Sequence, residues 1–213
     1  MINSIITFLV HWITNSISKI GYPAIFVLMF LESALVPIPS EVTMPFAGFL
    51  AAKGFFNFWL VILTGSLANL GGSLAAYALG FWGQAKLVKK LVNNFGKYLL
   101  IDYGEIEKAE RWFRKRGELI AFTSRLLPVV RTFISLPAGF SQMNVLRFSV
   151  YSFFGSLIWS TVLAYLGLVL GENWAVLEVY FRKFQLVILL FLSGLVFIYV
   201  RHKLKKIRSK KSS

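Results

Sequence analysis

The stretch RLLPVVRTFISLPAG, residues 125–139, places two arginines and two prolines inside a long apolar region. A lipid-facing helix would not carry Arg125 and Arg131, because each charge at the bilayer centre costs about 2.5–3.5 kcal/mol on insertion scales. Pro128 lies between them and breaks a helix, since proline lacks a backbone donor and clashes with the preceding turn. Irregular backbone at membrane depth is tolerated only inside protein or beside a water-filled cavity. The stretch therefore predicts a broken helix that the rest of the protein encloses.

The composition around this stretch is that of an integral membrane protein. Of the 213 residues, 57% are hydrophobic and only 15% are charged, too few charges for the surface of a soluble domain. The net charge of +14 is concentrated in two basic clusters, at 84–118 and in the tail 201–213. Basic clusters beside apolar spans are typical of cytoplasmic loops that face an anionic leaflet. The sequence thus predicts a cytoplasmic C-terminus and no nucleic-acid partner.

The distribution of apolar and polar residues predicts the membrane segments. Three apolar runs, at 55–83, 147–171 and 184–200, each approach or exceed the ~20 residues that a transmembrane helix needs. Polar residues recur at helical spacing in 1–19, which predicts an amphipathic N-terminal helix. The basic stretch 84–118 predicts amphipathic helices on the cytoplasmic surface.

The number of crossings then assigns the remaining segments. If both basic clusters are cytoplasmic, the chain between them crosses the membrane an even number of times. The runs 147–171 and 184–200 supply two crossings, so 119–146 must enter and leave on one side, as a re-entrant hairpin. The stretch 20–54 has the same character, because Pro37 and Pro39 break it. We interpret it as a first re-entrant hairpin that enters from the other face, within a single membrane domain spanning 1–200.

The two halves of the chain resemble each other at a nearly constant offset. Four matches occur in the same order: PFAGF at 45–49 with PAGF at 137–140, Phe58 with Phe148, GSL at 65–67 with GSL at 155–157, and AYALG at 76–80 with AYLG at 164–167. One spanning helix separates the two hairpins, so the copies are inverted. The predicted fold is an all-α integral membrane protein. It is an inverted repeat of re-entrant hairpin plus transmembrane helix, with interfacial amphipathic helices and an additional C-terminal transmembrane helix.

Four charges lie on the predicted hairpins: Glu32 and Glu41 on the first, Arg125 and Arg131 on the second. They must pair, face water, or both, because together they would oppose insertion by about 10 kcal/mol. One interpretation is that they neutralise each other and hold the hairpins together. A buried ion pair, however, often stabilises less than an apolar replacement, which favours a ligand.

The chemistry of these side chains suggests which ligand. The planar fork of arginine suits phosphate oxygens, so Arg125 and Arg131 are the predicted phosphate ligands. The protonation of a carboxylate changes with burial and with nearby charge, so Glu32 and Glu41 are predicted to couple a proton or cation.

The neighbouring span adds polar residues that share one helical face. Ser66, Asn69 and Ser73 either line a cavity or, as small residues, allow close helix packing. The two histidines, His11 and His202, lie near the termini, and the sequence holds no metal-ligand cluster. Neither a metal, a cofactor nor enzymatic activity is therefore predicted.

The segments that carry the two glutamates and the two arginines resemble those of a known family. The segments ESALVPIPSE and SRLLPVVRTFISLPAG, the latter followed by Met143, resemble the DedA family of bacterial membrane proteins, which carry the SNARE-associated Golgi protein (VTT) domain. The resemblance covers about residues 21–171. It implies a protein of the bacterial cytoplasmic membrane that moves undecaprenyl phosphate, or a phospholipid such as phosphatidylethanolamine, with a proton or sodium gradient. Some longer members have aspartate and a wider gap at the second acidic position, where this chain has Glu41, which leaves the coupling ion open.

Other functions stay open at the level of sequence. A proton/cation antiporter would use the carboxylates as its substrate site and the arginines as counter-charges. A membrane lipid phosphatase would need a nucleophile or metal near the arginines. A structural protein of envelope assembly would transport nothing. The oligomeric state is not predicted.

Overall fold

The described part of the chain is made mainly of helices. The computed structural model describes residues 2–36, 38–99, 116–127 and 130–170, and none of them forms a strand. The helices are α1 (Ile2–Ile20), α2 (Tyr22–Ser33), α3 (Ser40–Ala52), α4 (Phe58–Leu99), α5 (116–124), α6 (Val130–Phe133), α7 (Ser135–Phe140) and α8 (Val145–Leu170). For the described part of the chain this confirms the all-α prediction. Two segments, Phe58–Gly83 and Val145–Val169, are long and apolar enough to cross a membrane.

Several predictions fall on residues outside the described ranges. These are Pro37, Pro128, the predicted third span at 184–200, the basic tail at 201–213 and part of the predicted cytoplasmic amphipathic helices, at 100–115.

Helix α4 continues past the predicted membrane boundary. Its apolar window ends at Gly83, where the sequence predicts the end of the span, but the helix runs on to Leu99. The residues that follow Gly83 include alanine, lysine and leucine, which favour helix, and no proline follows to end it.

The short helices pack onto the two long ones. Helix α2 packs against α4, α3 against α8, and α7 against α4, while α4 and α8 also contact each other. The main apolar core lies between α1, α2, α3, α4 and α8, where Ile13, Ile25, Met29, Met44 and Ile62 are fully or almost fully buried. A smaller cluster around Tyr77 and Phe148 supports α5 and α7.

Glycines allow these helices to approach at backbone contact. A Cβ on Gly48 would lie 2.0 Å from the carbonyl oxygen of Ala164, and one on Gly167 would lie 1.8 Å from that of Pro45. Helices α4 and α7 also meet at backbone contact, since a Cβ on Gly80 would lie 2.4 Å from the carbonyl oxygen of Leu136. Small residues at such contacts are typical of helix packing in membranes.

We expect Gly72→Ala to destabilise the protein and Gly71→Ala to be tolerated. A Cβ on Gly72 would lie 2.1 Å from the carbonyl oxygen of Phe30, a backbone atom of α2 that cannot move alone. A Cβ on Gly71 would lie 3.2 Å from the Phe30 ring, which can rotate. Overpacking of this kind lowers the free energy of unfolding by about 1–3 kcal/mol. Each kcal/mol lowers the melting temperature of a chain of this size by roughly 2–4 °C. Thermal melts of the two variants in the same detergent test this, and equal melting temperatures would contradict it.

Candidate functional site

The connection between α2 and α3 brings Glu32 and Ser40 together. Glu32 is buried in the last turn of α2, and Leu35 then takes a left-handed conformation, with φ of 75°, that turns the chain. Helix α3 begins at Ser40, whose backbone N–H donates to Oε1 of Glu32 at 3.3 Å. The carboxylate therefore lies against the N-terminus of α3.

Arg131 completes a buried ion pair with this carboxylate. It lies on α6, and its Nη2 donates both to Oε1 of Glu32 and to Oγ of Ser40. The side chains of Arg131 and Glu32 are only 4% and 6% exposed. The guanidinium also lies 5.9 Å from the ring centroid of Trp159 on α8. Two segments that are about a hundred residues apart in sequence thus meet at one buried charge pair.

Several polar atoms at this pair have no hydrogen-bond partner among the described residues. They are the second carboxylate oxygen of Glu32 (Oε2), the Nε of Arg131 and the indole Nε1 of Trp159, and all three are buried. Most buried polar groups in proteins are hydrogen-bonded, so a group of unpaired ones calls for an explanation. The pair therefore has unused capacity both to accept and to donate hydrogen bonds.

Arg125 is buried in a different environment, made of hydroxyl groups. Its Nη1 donates to Oγ of Ser73 at 3.0 Å and to the backbone carbonyl of Arg131 at 2.7 Å. Its Nη2 donates to Oγ of Ser135 at 3.0 Å and to Oγ of Ser152 at 3.1 Å. These four bonds use every Nη hydrogen of the guanidinium. Arg125 thus fixes the backbone of Arg131 and forms no ion pair with the described carboxylates.

The predicted polar residues of α4 divide into two groups. Asn69 accepts a hydrogen bond from Oγ of Ser33 at 2.6 Å, and its amide nitrogen has no partner among the described residues. Ser73 accepts from Arg125 and donates to the carbonyl of Asn69. Both therefore belong to a polar centre, the group of buried polar side chains around the two arginines: Glu32, Ser33, Ser40, Asn69, Ser73, Arg125, Arg131, Ser135 and Ser152. The hydroxyl of Ser66 instead donates to the carbonyl of Ile62 in its own helix.

Glu41 lies in the first turn of α3 and is half-buried. It forms no ion pair with the described residues. It directly follows Ser40, whose backbone N–H bonds Glu32, and this places the two carboxylates near enough to repel each other. Of the two predicted acidic residues, Glu32 is thus the one that pairs with an arginine.

Apart from Ser73, sequence reasoning missed the serines and the tryptophan that surround the arginines. One signal was present: Ser152, Ser156 and Ser160 recur every four residues on α8, and all three are buried. This is the same kind of stripe as the one on α4, and it marks the face of α8 that points inward. Ser33, Ser40, Ser135 and Trp159 carry no comparable pattern.

An ion pair outside the polar centre provides a contrast. Nη1 of Arg147 lies 2.6 Å from Oε1 of Glu118, and the two side chains are 69% and 40% exposed. The hydroxyl of Tyr151 also donates to Glu118, at 3.1 Å. Exposed pairs of this kind contribute about 0–1 kcal/mol. The pair therefore offers matched control substitutions for Arg131 and Glu32.

Comparison with known proteins assigns the family. The VTT domain matches residues 38–169, a segment that includes Arg125 and Arg131. The chain is 35% identical over 198 residues to the uncharacterized membrane protein YkoX of Bacillus subtilis. The aligned residues cover 93% of this chain and 86% of the relative. The chain is 33% identical over 165 residues to undecaprenyl phosphate transporter A of Staphylococcus aureus, covering 78% of this chain and 81% of the relative.

A third relative carries a different name. The alkaline phosphatase-like protein of Lactococcus lactis subsp. lactis is 33% identical over 187 residues, which cover 87% of each chain. No solved structure matches the chain. The extent of these matches and the motifs around the two arginines lead to one conclusion: the chain belongs to the VTT-domain (DedA) family of membrane proteins.

Proposed function

We propose that this protein carries a phosphate-bearing lipid across the bacterial cytoplasmic membrane, with Arg131 as the phosphate ligand. The observation that carries the proposal is the buried Glu32–Arg131 pair, whose unpaired polar atoms leave capacity for a further ligand. A buried ion pair with unsatisfied atoms contributes little to the stability of the fold, because the cost of its desolvation is only partly compensated. Its unpaired donors, Arg131 Nε and the neighbouring Trp159 Nε1, are suited to an anion such as phosphate, which accepts hydrogen bonds.

The residues of α4 that lie beside the Glu32–Arg131 pair support a site deep in the bilayer. Trp59 and Trp82 are 68% and 82% exposed, as expected of aromatic residues at the two membrane interfaces. At ~1.5 Å per residue they are about 35 Å apart along the helix, slightly more than the ~30 Å of a hydrocarbon core. Asn69, which bonds the residue next to Glu32, lies about 15 Å from the first and about 20 Å from the second. A charge pair at that level would lie near the midplane.

The helix contacts support re-entrant hairpins arranged as an inverted repeat. By the sequence offset, Gly48 corresponds to Gly139 and Gly80 to Gly167. In the structure Gly48 and Gly167 lie where α3 meets α8, whereas Gly80 and Gly139 lie where α7 meets α4. The second arm of each proposed hairpin, α3 or α7, thus packs on the long helix of the other half, through equivalent glycines. Transporters with inverted repeats and broken helices place their substrate sites at such a junction.

The substrate we favour is a polyprenyl phosphate, the class to which undecaprenyl phosphate belongs. Relatives named undecaprenyl phosphate transporter A share about a third of their aligned residues with this chain. A phosphate monoester needs only cationic and hydrogen-bonding partners, which Arg131 and Trp159 provide. Phosphatidylethanolamine would also need a partner for its ammonium group, and Glu41 is the acidic residue near the pair that could meet it.

We further propose that Glu32 and Glu41 couple transport to a proton or sodium gradient. Protonation or sodium binding at a carboxylate weakens its attraction to Arg131, so the access state of the site can follow the gradient. In this arrangement the two hairpins enter from opposite faces and the basic C-terminal tail lies in the cytoplasm.

A reconstituted lipid-flipping assay tests this proposal. Liposomes of phosphatidylethanolamine and phosphatidylglycerol would carry a fluorescent polyprenyl phosphate, and a membrane-impermeant quencher would report how much label reaches the outer leaflet. We expect the wild type and Arg147→Gln to accelerate exchange equally, and Arg131→Gln to match protein-free liposomes. The two variants lose the same charge, but only one loses it at the buried pair. Wild-type rates for Arg131→Gln would refute the proposal.

Hydrolysis is the second candidate, which the name of the Lactococcus relative raises. The same liposomes distinguish it, because a phosphatase would release inorganic phosphate from the polyprenyl phosphate in proportion to time and enzyme. We expect no release above that of protein-free liposomes. Ion flux without lipid movement would instead favour an antiporter.

A further inference from the structure

The carboxylate of Glu32 is surrounded by hydrogen-bond donors and positive charge that favour an anion. Its Oε1 accepts from the backbone N–H of Ser40, in the first turn of α3, and from the guanidinium of Arg131. Helix α3 has 13 residues, long enough for the positive end of its dipole to favour an anion there. Backbone N–H, helix terminus and guanidinium together are the elements from which phosphate sites are built.

This setting holds more donors than the carboxylate can use. Arg131 Nε and Trp159 Nε1 are buried donors without an acceptor among the described residues. A carboxylate offers two oxygens, and the second oxygen of Glu32 accepts from none of the described residues. A phosphate group offers three or four oxygens spread over a tetrahedron, so it can meet donors on several sides. The donors of Ser40, Arg131 and Trp159, whose ring lies 5.9 Å from the guanidinium, therefore suit a phosphate better than the carboxylate that Arg131 now contacts.

Few charged side chains could hold the carboxylate elsewhere. Glu41 on α3 repels it, and Arg125 is occupied by its serines and by the carbonyl of Arg131. The described part of α4 that faces α2 contributes an amide, Asn69, and α8 contributes the indole of Trp159. Arg131 is thus the one cation that Glu32 contacts among the described residues.

We infer that the carboxylate of Glu32 stands in for the substrate phosphate, and that phosphate must displace it from Arg131 to bind. This inference rests on the proposed function and specifies how its site is regulated. Phosphate and the Glu32 carboxylate then exclude each other at Arg131. Because coupling free energies are reciprocal, an ion that neutralises Glu32 strengthens phosphate binding, and phosphate strengthens binding of that ion by the same factor. Ion and phosphate would therefore occupy the site together and move in the same direction.

Binding measurements on the purified full chain in detergent test the inference. The probes are farnesyl phosphate, dioleoyl phosphatidylethanolamine and inorganic phosphate, each titrated against the wild type, Glu32→Gln and Glu118→Gln. We expect Glu32→Gln to bind farnesyl phosphate more tightly than the wild type, on the order of 5- to 150-fold, the usual range of coupling between two ligands. Glu118→Gln makes the same chemical change at the exposed pair and should bind as the wild type does.

The three probes separate the possible sources of the phosphate. An equal gain for inorganic phosphate would show that the group itself is the competitor, whereas a gain for one lipid alone would assign the competition to that lipid. Unchanged or weaker binding of every probe by Glu32→Gln overturns the inference while leaving the proposed function standing. Failure of the wild type and Glu32→Gln alike to bind any probe overturns both. If Glu32→Gln cannot be purified, Glu32→Asp draws the carboxylate back from Arg131 and should bind farnesyl phosphate more tightly too; weaker binding would overturn the inference.

Discussion

Arg131→Met should lower the free energy of unfolding by about 3–5 kcal/mol, the usual cost of leaving one member of a buried ion pair without its partner. The substitution keeps an unbranched side chain of similar length but leaves the Glu32 carboxylate buried beside Glu41 with no cation in contact. The melting temperature in detergent should then fall by about 6–20 °C, at roughly 2–4 °C per kcal/mol for a chain of this size. Arg147→Met, at the exposed pair, should change it by no more than a few degrees.

The double variant Glu32→Leu plus Arg131→Met separates structure from function. It removes both charges, so it should recover most of the lost stability, because apolar replacements of a buried pair are often neutral or stabilising. Transport of the fluorescent polyprenyl phosphate should nevertheless remain at the protein-free rate. If the pair only held the helices together, the stable double variant would still transport. Recovery of transport together with stability would therefore support the structural interpretation of the pair over the ligand site.

Arg125→Lys should lose nearly all transport, although it keeps the positive charge. The guanidinium reaches three serine hydroxyls and the carbonyl of Arg131 from two nitrogens of one rigid plane. An ammonium has three donors on a single atom and cannot reproduce that fork. Hydrogen bonds to charged groups contribute about 1.5–3 kcal/mol each, so the loss of two or more should displace the α6 backbone that carries Arg131.

The distribution of effects around Arg125 tests whether it positions Arg131 or binds phosphate itself. If it positions Arg131, then Ser135→Ala and Ser152→Ala should each raise the KM for polyprenyl phosphate, because each removes a bond that fixes the guanidinium. Ser149→Ala is a control on the same helix, since that hydroxyl is exposed and donates to the carbonyl of Val145. Wild-type transport by Arg125→Lys would show instead that charge alone is required there.

The sequence could predict that these charges converge but not how they pair. Arginine and glutamate inside apolar, proline-broken stretches must be enclosed, and the structure does bury Arg125, Arg131 and Glu32. Glu41 and Arg131 are 90 residues apart, the offset that also relates Phe58 to Phe148, but this offset identifies equivalent positions and does not predict that Arg131 contacts Glu32. That choice depends on the turn after α2, where Leu35 takes a left-handed conformation that sequence patterns do not indicate for leucine.

Most hydrogen-bond partners of Arg125 could not be predicted from the sequence, for a related reason. Its partners come from α4, α7 and α8, so they are distant in the chain and are brought together only by helix packing. Serines are common in membrane helices, where they often bond their own backbone, as Ser66 does. Two patterns mark the faces that meet the guanidinium: the predicted polar stripe of α4, which includes Ser73, and the buried four-residue repeat of serines on α8, which includes Ser152. Local pattern identified the helices, while the polar contacts between them required the fold.

The most direct test of the central claim is a distance between the lipid phosphorus and the arginine side-chain nitrogens. Dipolar-recoupling NMR on bilayers that contain farnesyl phosphate and nitrogen-labelled arginine would measure it. We predict one guanidinium about 4 Å from the phosphorus, as a direct N–H···O bond of ~2.8 Å imposes, with the signal lost in Arg131→Lys and retained in Arg147→Lys. A phosphorus close only to arginines other than Arg131, or to none, would contradict the assignment of the buried pair as the phosphate site.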